Sequence, residues 1–256
     1  MNVIRLMGGI GNQMFQYAFG RVFQKHGHEV AYDMSWYTIK QTYPRPFRLD
    51  KFNVKMNFSP FIPDHPTMPG GEEKYNPSIF NLDNHNFEGY WQHLRYYINI
   101  HDELKKELTL KEEVHTNEFM LLKEQILNSE SISVHVRRGD YLKLWPIMGV
   151  KYYADAISRI EGDLFIFSDD MQWCRKAFLE KNLRCKIIFV ELQDYLAFEL
   201  MRLCKHKILG NSTFSWWAAF LEDSGTVICP KGWLGFKNTK DEDLRYPGKW
   251  IRLENK

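Results

Sequence analysis

Three polar clusters in the second half of the sequence carry residue types that bind phosphate, ribose and sugar hydroxyl groups. They occupy residues 135–140, 168–170 and 211–213, and each follows a short run of apolar or β-branched residues. Such runs predict strands, and the carboxyl ends of parallel strands share one edge of a sheet, where ligands bind. The sequence therefore predicts that the three clusters form one ligand site.

The residues that lead into the first cluster alternate in polarity, as in a strand over 131–137. The polar face of this predicted strand consists of Ser131, Ser133, His135 and Arg137. Because a strand covered on both sides is apolar on both, this face is predicted to look into an open cleft. There Arg137 would offer a planar fork to phosphate, and His135 a ring nitrogen. Arg138 points the other way and is predicted to pair with Asp140, and such a buried pair is also the purely structural explanation of the motif.

The third cluster leads directly into an apolar helix predicted over 214–221. The hydroxyl groups of Ser212 and Thr213, together with the unpaired N–H groups of a helix start, are predicted to form an anion site that fits a diphosphate. Capping of the helix by either residue is the structural alternative, and it does not exclude phosphate binding.

The acidic pair Asp169 and Asp170 has three interpretations. Carboxylates accept hydrogen bonds from the ribose and base of a nucleotide, and guanine suits a carboxylate because its N1–H and amino group are adjacent donors. The pair could instead belong to a metal site, or cap the helix that is predicted to start at Met171.

A glycine-rich turn over residues 8–13 follows the first predicted strand. With Asp33 downstream it partly resembles a dinucleotide-binding fingerprint, which gives a nicotinamide or flavin oxidoreductase as an alternative function. The fingerprint requires Gly or Ala where this chain has Met14. The amide side chains of Asn12 and Gln13 are better suited to sugar hydroxyl groups.

The elements that position these groups are those of an α/β protein. In the second half, strands predicted over 131–137, 163–168, 186–190, 206–210 and 226–230 alternate with helical patterns. The first half opens with a strand over 2–6, a helix from about 14 to 26 and a strand ending at Asp33. Residues 35–80 then lack periodicity and are a candidate acceptor-binding or lid region. We therefore predict two domains, residues 1–128 and 129–256.

Composition excludes several function classes. The net charge is only +2 and the pI is near 8.2, with basic residues scattered among acidic ones, so nucleic acid is not expected as a partner. The sequence shows no signal peptide and no membrane span, which predicts a cytoplasmic protein with at most peripheral contact with the inner face of a membrane. The four cysteines lack zinc-ligand spacing and are expected to be reduced.

Five segments of the chain together resemble a known family. They are GGIGNQMFQYAFG, EGYWQ, VHVRRGDY, FSDDMQWC and ILGNSTFSWWAAFL. In this order they resemble the α-1,2-fucosyltransferases of glycosyltransferase family 11. The resemblance implies a GT-B type architecture, with two Rossmann-like domains facing a cleft and the N-terminal one short and irregular. It also implies inverting transfer of L-fucose from GDP-β-L-fucose, without metal or other cofactor, to an oligosaccharide or glycan acceptor such as the 2-hydroxyl of a galactoside.

The resemblance further implies roles for individual residues. The donor-binding set consists of Gly9, Gly11, Asn12, His135, Arg137, Asp169, Ser212, Thr213, Phe214 and Ser215. Within it, the resemblance assigns Arg137 to the phosphates, and His135 and Asp169 to the nucleoside. It assigns the segment 212–215 to the diphosphate and Asn12 to the fucose or the acceptor. Arg137 and the helix start at Thr213 would stabilise the leaving diphosphate, and Asp140 is the candidate base, although an oxocarbenium-like path needs no strong base. A catalytically inactive carbohydrate-binding protein of the same fold is a further alternative.

Overall fold

The structure is a computed structural model that describes residues 1–70, 75–144, 147–179, 185–232 and 245–254. The described chain separates into two compact units. The first contains the residues from Met1 to Thr109 with Arg245 and Tyr246, and the second contains the rest from Leu110 onward. The boundary thus falls before the predicted one at residue 128, because the helix over 117–127 packs with the second unit.

The first unit is built on a four-stranded parallel sheet in the order β2-β1-β4-β3. Its elements are β1 (Asn2–Arg5), α1 (Ile10–Lys25), β2 (Val30–Asp33), β3 (Thr67–Pro69), β4 (Asn86–Glu88) and α2 (His101–Glu107). Helix α1 starts four residues before the predicted position, so that Gly11 and Asn12 lie in its first turn. Buried Phe15, Phe19 and Phe23 follow one another at the spacing of one helix face, which fixes α1 against the core.

The second unit is built on a six-stranded parallel sheet in the order β10-β9-β8-β5-β6-β7. Its strands are β5 (Ser131–Val136), β6 (Asp163–Ser168), β7 (Ile187–Val190), β8 (His206–Ile208), β9 (Val227–Pro230) and β10 (Ile251–Leu253). Its helices are α3 (Asn117–Leu127), α4 (Tyr141–Leu144), α5 (Val150–Ile157), α6 (Met171–Leu179), α7 (Asp194–Leu203) and α8 (Thr213–Leu221). The α/β class and the five predicted strands of this half are confirmed, whereas β3, β4 and β10 were not predicted.

The central strand β5 corrects one prediction. All six of its residues are buried, so its polar face does not look into an open cleft. The Ser131 hydroxyl accepts the Lys205 N–H at 3.1 Å, and the Ser133 hydroxyl donates to the His206 carbonyl at 3.4 Å. The serines therefore satisfy backbone groups of the segment that enters the neighbouring strand, and they do not offer hydroxyls to a ligand.

Each sheet has a point at which its strand order reverses. In the first unit this switch point lies between β1 and β4, and in the second it lies between β5 and β8. In parallel sheets ligands bind at the carboxyl ends of the strands at such points. The two switch points are therefore where candidate binding groups are expected. Among the helices that the structure describes, none has the length and apolar composition needed to cross a membrane.

Candidate active site

The loop after β5 holds an arginine between two carboxylates. Arg137 Nη1 lies 2.6 Å from Asp169 Oδ2, and Nη2 donates to Asp140 Oδ1. The guanidinium also lies 4.9 Å from the centre of the Tyr141 ring. Its Nε–H has no hydrogen-bond partner in the described chain. Arg137 therefore keeps its Nε–H for a ligand, while each terminal nitrogen already contacts a carboxylate.

Asp169 organises this loop from the end of β6. Its second oxygen, Oδ1, accepts the Arg138 backbone N–H at 2.8 Å. Gly139 lies so close that an added Cβ would stand 2.5 Å from Asp169 Oδ2. The carboxylate thus fixes the loop backbone and the Arg137 side chain together. Its predicted contact with the nucleoside stays a prediction, but these bonds already engage both of its oxygens.

Arg138 pairs with Asp170, and the predicted Arg138–Asp140 pair is wrong. Arg138 Nε donates to Asp170 Oδ2 at 3.0 Å, and the guanidinium lies 4.3 Å from the centre of the Trp173 ring. The prediction failed because β5 ends at Val136, so alternation does not govern the loop that follows. Both Nη groups of Arg138 lack hydrogen-bond partners in the described chain.

Asp170 also caps a helix, as one interpretation of the acidic pair predicted. Its Oδ1 accepts the Trp173 N–H at 3.1 Å in the first turn of α6, and its own N–H donates to the Ser168 hydroxyl at 2.9 Å. Asp170 is therefore engaged by a helix start and by Arg138 at the same time.

His135 lies buried at the end of β5 and is neutral. Burial, together with the positive charge of Arg137, lowers the pKa of His135 to about 3. Its Nδ1 has no hydrogen-bond partner, and its ring packs against Phe214 at a centroid distance of 5.5 Å. A neutral ring of this kind can hydrogen-bond a ligand but does not supply positive charge.

Two residues around His135 were missed by the sequence argument. The buried Tyr153 hydroxyl donates to the His135 carbonyl at 3.1 Å, and a Cβ on Gly210 would stand 2.8 Å from that carbonyl. The apolar spacing around Tyr153 in α5 indicates only a core position of a helix. Gly210 carried a usable signal, since a glycine at the end of a strand marks a close backbone approach.

The start of α8 is capped by its own residues. The Ser212 hydroxyl accepts the Phe214 N–H at 3.2 Å, which is the capping alternative. Ser215 is fully buried and its hydroxyl donates to the Gly210 carbonyl at 3.3 Å. The half-buried Thr213 has a hydroxyl without a hydrogen bond in the described chain. Thr213 therefore fits a role at the diphosphate better than its serine neighbours do.

In the first unit, the glycine-rich turn is the start of α1. Gly9 is the extended residue before the helix, and no side chain caps it. Gly11 is buried in the first turn. Gln13 is fully buried, and its amide bonds to the carbonyls of Gly8 and Pro46, each at 2.9 Å, and to the Arg48 N–H. The predicted role of the Gln13 amide toward sugar hydroxyls is therefore wrong.

Asp33 is likewise unavailable to a ribose. It is 1% exposed, and its Oδ2 accepts from Arg5 Nε at 2.8 Å. The Ser35 N–H and hydroxyl donate to the same carboxylate at 2.9 and 2.8 Å. A ribose-binding carboxylate must face the ligand. This geometry removes the support that Asp33 gave to the oxidoreductase alternative.

Charge at the second switch point is nearly balanced. Two arginines face three carboxylates there, and His135 adds no charge. Within the residues that the structure describes, no three His, Cys, Asp or Glu side chains converge so as to hold a metal ion. An apolar cavity of about 110 Å³ between α5 and α6, with Tyr153 and Trp173 in its wall, offers little to a charged donor.

Comparisons with known proteins identify the family of this chain. The model of "Glycosyl transferase family 11" matches residues 66–254. The alpha-1,2-colitosyltransferase of Escherichia coli is 30% identical over 291 residues, which covers 98% of each chain. The galactoside 2-alpha-L-fucosyltransferase Sec1 of Mus musculus is 27% identical over 248 residues, covering 89% of this chain and 66% of the mouse protein.

Solved structures with a similar fold include glycosyltransferases too. Fucosyltransferase NodZ from Bradyrhizobium superposes with a TM-score of 0.57 at 15% identity, covering 86% of this chain and 93% of NodZ. The E. coli ADP-heptose heptosyltransferase II gives a TM-score of 0.52 at 14% identity, covering 98% and 89%. The fold is thus α/β of the GT-B type, with two Rossmann-like units. Because the family model spans most of the described chain, the protein belongs to glycosyl transferase family 11 and is an enzyme that transfers a glycosyl group from a nucleotide sugar.

Proposed function

We propose that this enzyme transfers L-fucose from GDP-β-L-fucose to the 2-hydroxyl of a galactoside, with inversion and without a metal ion. Relatives along most of the chain are named galactoside 2-alpha-L-fucosyltransferases, and NodZ, which shares the fold, has been soaked with GDP-fucose. The E. coli relative is named a colitosyltransferase, so nucleotide-activated colitose is the second donor to be tested.

The observation that carries the proposal is the loop after β5, which places Arg137 and Arg138 at the β5–β8 switch point. Departure of a diphosphate builds negative charge on its oxygens, and fixed donors aimed at that charge accelerate the reaction. The donors available here are the Arg137 Nε–H, the unpaired Nη groups of Arg138 and the start of α8 with Thr213. These groups supply what a departing GDP needs.

The two carboxylates on Arg137 suggest how the base is delivered. A diphosphate that binds the terminal nitrogens of Arg137 competes with the two carboxylates that already contact them, Asp140 and Asp169. In this proposal Asp140 moves away from Arg137 Nη2, while Asp169 keeps the bond that its Oδ1 accepts from the Arg138 N–H. The Asp140 carboxylate, displaced from Arg137, would then accept the proton of the acceptor hydroxyl as the glycosidic bond forms.

The test is a transfer assay with GDP-fucose and a panel of galactosides and other glycans, run with and without excess EDTA. We expect GDP release and an α-1,2-linked product, identified by NMR, at the same rate in chelator, because the arginines provide the positive charge. Activity lost in EDTA and restored by magnesium or manganese would refute the metal-free reaction. Transfer from activated colitose alone would correct the donor.

A further inference from the structure

The first unit has a polar pair at its own switch point that the proposed chemistry does not use. Gln92 follows β4, is 7% exposed, and its Nε2 donates to Asn12 Oδ1 at 3.0 Å. Asn12 lies in the first turn of α1 and is half-buried. Because its oxygen accepts from Gln92, its Nδ2 amide group is turned away from Gln92. That amide group has no hydrogen-bond partner in the described chain.

The surroundings keep the Asn12 amide group uncovered. Gly8 has a φ of +77°, which favours glycine, and a Cβ there would stand 2.6 Å from Asn12 Nδ2. Next to it, α1 begins at Ile10 without a side-chain cap and without an acidic residue in its first turn. The backbone N–H groups at the start of α1 and the Asn12 amide group thus lie next to Gly8 and Gly9, which have no side chains to cover them.

Gln92 is held in place by a strained segment. Trp91 has a φ of +55°, a conformation that is a genuine outlier for a bulky residue. Its ring is fully buried and stacks on Phe19 at 4.1 Å, and its carbonyl accepts from the Tyr97 hydroxyl. Such strain persists only where the surroundings enforce it, and it is concentrated at functional sites. Here it sets the backbone that directs Gln92 to Asn12.

The charges at this switch point do not suit a phosphate. Arg5 Nη1 donates to Glu88 at 2.8 Å, and its Nε is bound to Asp33. Arg45 passes over Gly9 and is itself engaged in an interaction. What this edge offers is a neutral amide beside backbone N–H groups. Such donors match the hydroxyl oxygens of an uncharged carbohydrate.

We propose that Gln92 is a positioning residue that holds the Asn12 amide with its NH₂ group outward, and that Asn12 donates this group to a hydroxyl oxygen of the carbohydrate acceptor. The inference rests on the proposed function for the acceptor being a glycan. It assigns a ligand contact to Asn12 and identifies Gln92 as the residue that fixes the orientation of the Asn12 side-chain amide.

The test exchanges amides for carboxylates of the same shape. In Gln92→Glu the carboxylate cannot donate, so the Asn12 amide rotates to donate to it and presents its oxygen outward. In Asn12→Asp the bond from Gln92 is kept but the outward donor is lost. We expect both variants to raise KM and Kd for the acceptor about tenfold, the effect of one hydrogen bond. KM for GDP-fucose should change less than twofold, and the melting temperature by no more than a few degrees.

Two controls separate positioning from folding. Gln125→Glu changes an exposed glutamine of α3 in the same way and should leave every constant unchanged. Gln13→Glu places a carboxylate at a buried amide that donates to backbone, and should lower the melting temperature. A set of acceptors lacking single hydroxyls identifies the contact, because the acceptor without the bound hydroxyl should lose no further affinity in Asn12→Asp.

Acceptor affinity is measured by calorimetry or ligand-observed NMR as well as by kinetics, so the outcome does not depend on which sugar is transferred. If wild-type protein binds a glycan but transfers no fucose to it, the proposed function fails, and weaker glycan binding by Gln92→Glu still supports the inference. The inference is overturned if Gln92→Glu binds the glycan as tightly as the parent. It is also overturned if the donor KM changes as much as the acceptor KM, or if no glycan of the panel binds.

Discussion

The switch points of the two sheets carry the same kind of cluster, an arginine between two carboxylates, in different surroundings. In the first unit Arg5 is the last residue of β1, and its partners Asp33 and Glu88 end the two strands that pair with β1. All three groups are fixed to strands of one sheet, and Asp33 is 2% exposed at its side chain. This cluster ties three strand ends together.

In the second unit the arginine and one of its partners lie in a loop. Arg137 and Asp169 each follow directly on the end of a strand, β5 and β6, whereas Asp140 lies three residues further along the loop. The Arg137 and Asp140 side chains are partly buried, 18% and 14% exposed, and the loop contains a second arginine with unpaired donors. Ion pairs between loop groups can be exchanged for a ligand at lower cost than pairs that hold strands in register. The same three side-chain types thus serve stability in one unit and candidate chemistry in the other.

The largest expected difference comes from replacing each arginine by lysine. Arg137→Lys should reduce kcat/KM by about 10²–10³-fold, as for loss of a preorganised donor to a leaving group, with a nearly unchanged melting temperature. Arg5→Lys should lower the melting temperature while kcat/KM per folded molecule stays the same. Steady-state kinetics, GDP calorimetry and thermal melts check both. Normal GDP binding and turnover in Arg137→Lys would contradict the assignment.

Replacing the carboxylate partner should likewise reduce activity in the second unit and stability in the first. Asp169→Asn removes the charge that holds Arg137, and we expect about a tenfold to hundredfold loss of kcat/KM because Arg137 and the loop lose their shared anchor. Asp33→Asn should instead cost about 1–3 kcal/mol of unfolding free energy, since Arg5 loses a buried partner. Denaturant unfolding beside kinetics distinguishes the two. Equal loss of stability in both variants would contradict the assignment of Asp33 to stability and of Asp169 to activity.

Alanine substitutions at two closely packed glycines, one in each unit, test the same difference between the units. A Cβ on Gly210 would stand 2.8 Å from the His135 carbonyl, and one on Gly20 would stand 2.3 Å from the Tyr32 hydroxyl oxygen. Each alanine variant should lose about 1–3 kcal/mol of stability from overpacking. Only Gly210→Ala should also weaken GDP binding, because it separates the ends of β5 and β8. GDP calorimetry on the two proteins, compared at equal folded fraction, is the measurement.

The smallest effect concerns pH. The pKa of His135 is lowered to about 3 in the folded protein. Between about pH 3 and 6.5 His135 is therefore protonated in the unfolded chain but neutral in the folded protein. The contribution of His135 to stability is therefore complete above about pH 6.5 and is lost as the pH falls. From pH 7 to 5 this amounts to about 1–2 kcal/mol.

A His135→Gln variant isolates that contribution. Its unfolding free energy should fall less steeply than that of the parent between pH 7 and 5, whatever its stability at pH 7. The amides at the first switch point do not titrate, so Gln92→Leu should keep the parental slope. Parallel slopes for the parent and His135→Gln would show that the folded protein binds a proton on His135.

The sequence was informative where periodicity is long and strong. The five strands predicted in the second half are six, six, four, three and four residues long in the structure, and apolar runs bounded by polar clusters located them all. The strands that escaped prediction, β3, β4 and β10, have three residues each, too few to show a period. The equally short β8 was located because a polar cluster, residues 211–213, follows it closely. The start of α1 was missed because two glycines suggested a turn.

Side-chain partners were the least predictable part of the site. The motif HVRRGD identified the groups, but which carboxylate meets which arginine depends on where β5 stops and how the loop turns back. The polar face of β5 was misread for a related reason. Serines inside a sheet can satisfy backbone groups of the adjoining segment, and alternation alone does not reveal such a partner.

The pairing of β5 with β8 has a consequence for how the enzyme folds. Ser131 and Lys205 are hydrogen-bonded although 74 positions separate them in the sequence, whereas β5 pairs with β6 only about 30 residues later. Closing the longer loop carries the larger entropic penalty, so the β5–β6 pair is expected to form before β8 docks. The approach of Gly210 to His135 then arises only in that late step. A refolding chain should therefore regain most of its far-ultraviolet circular dichroism before it regains the ability to bind GDP.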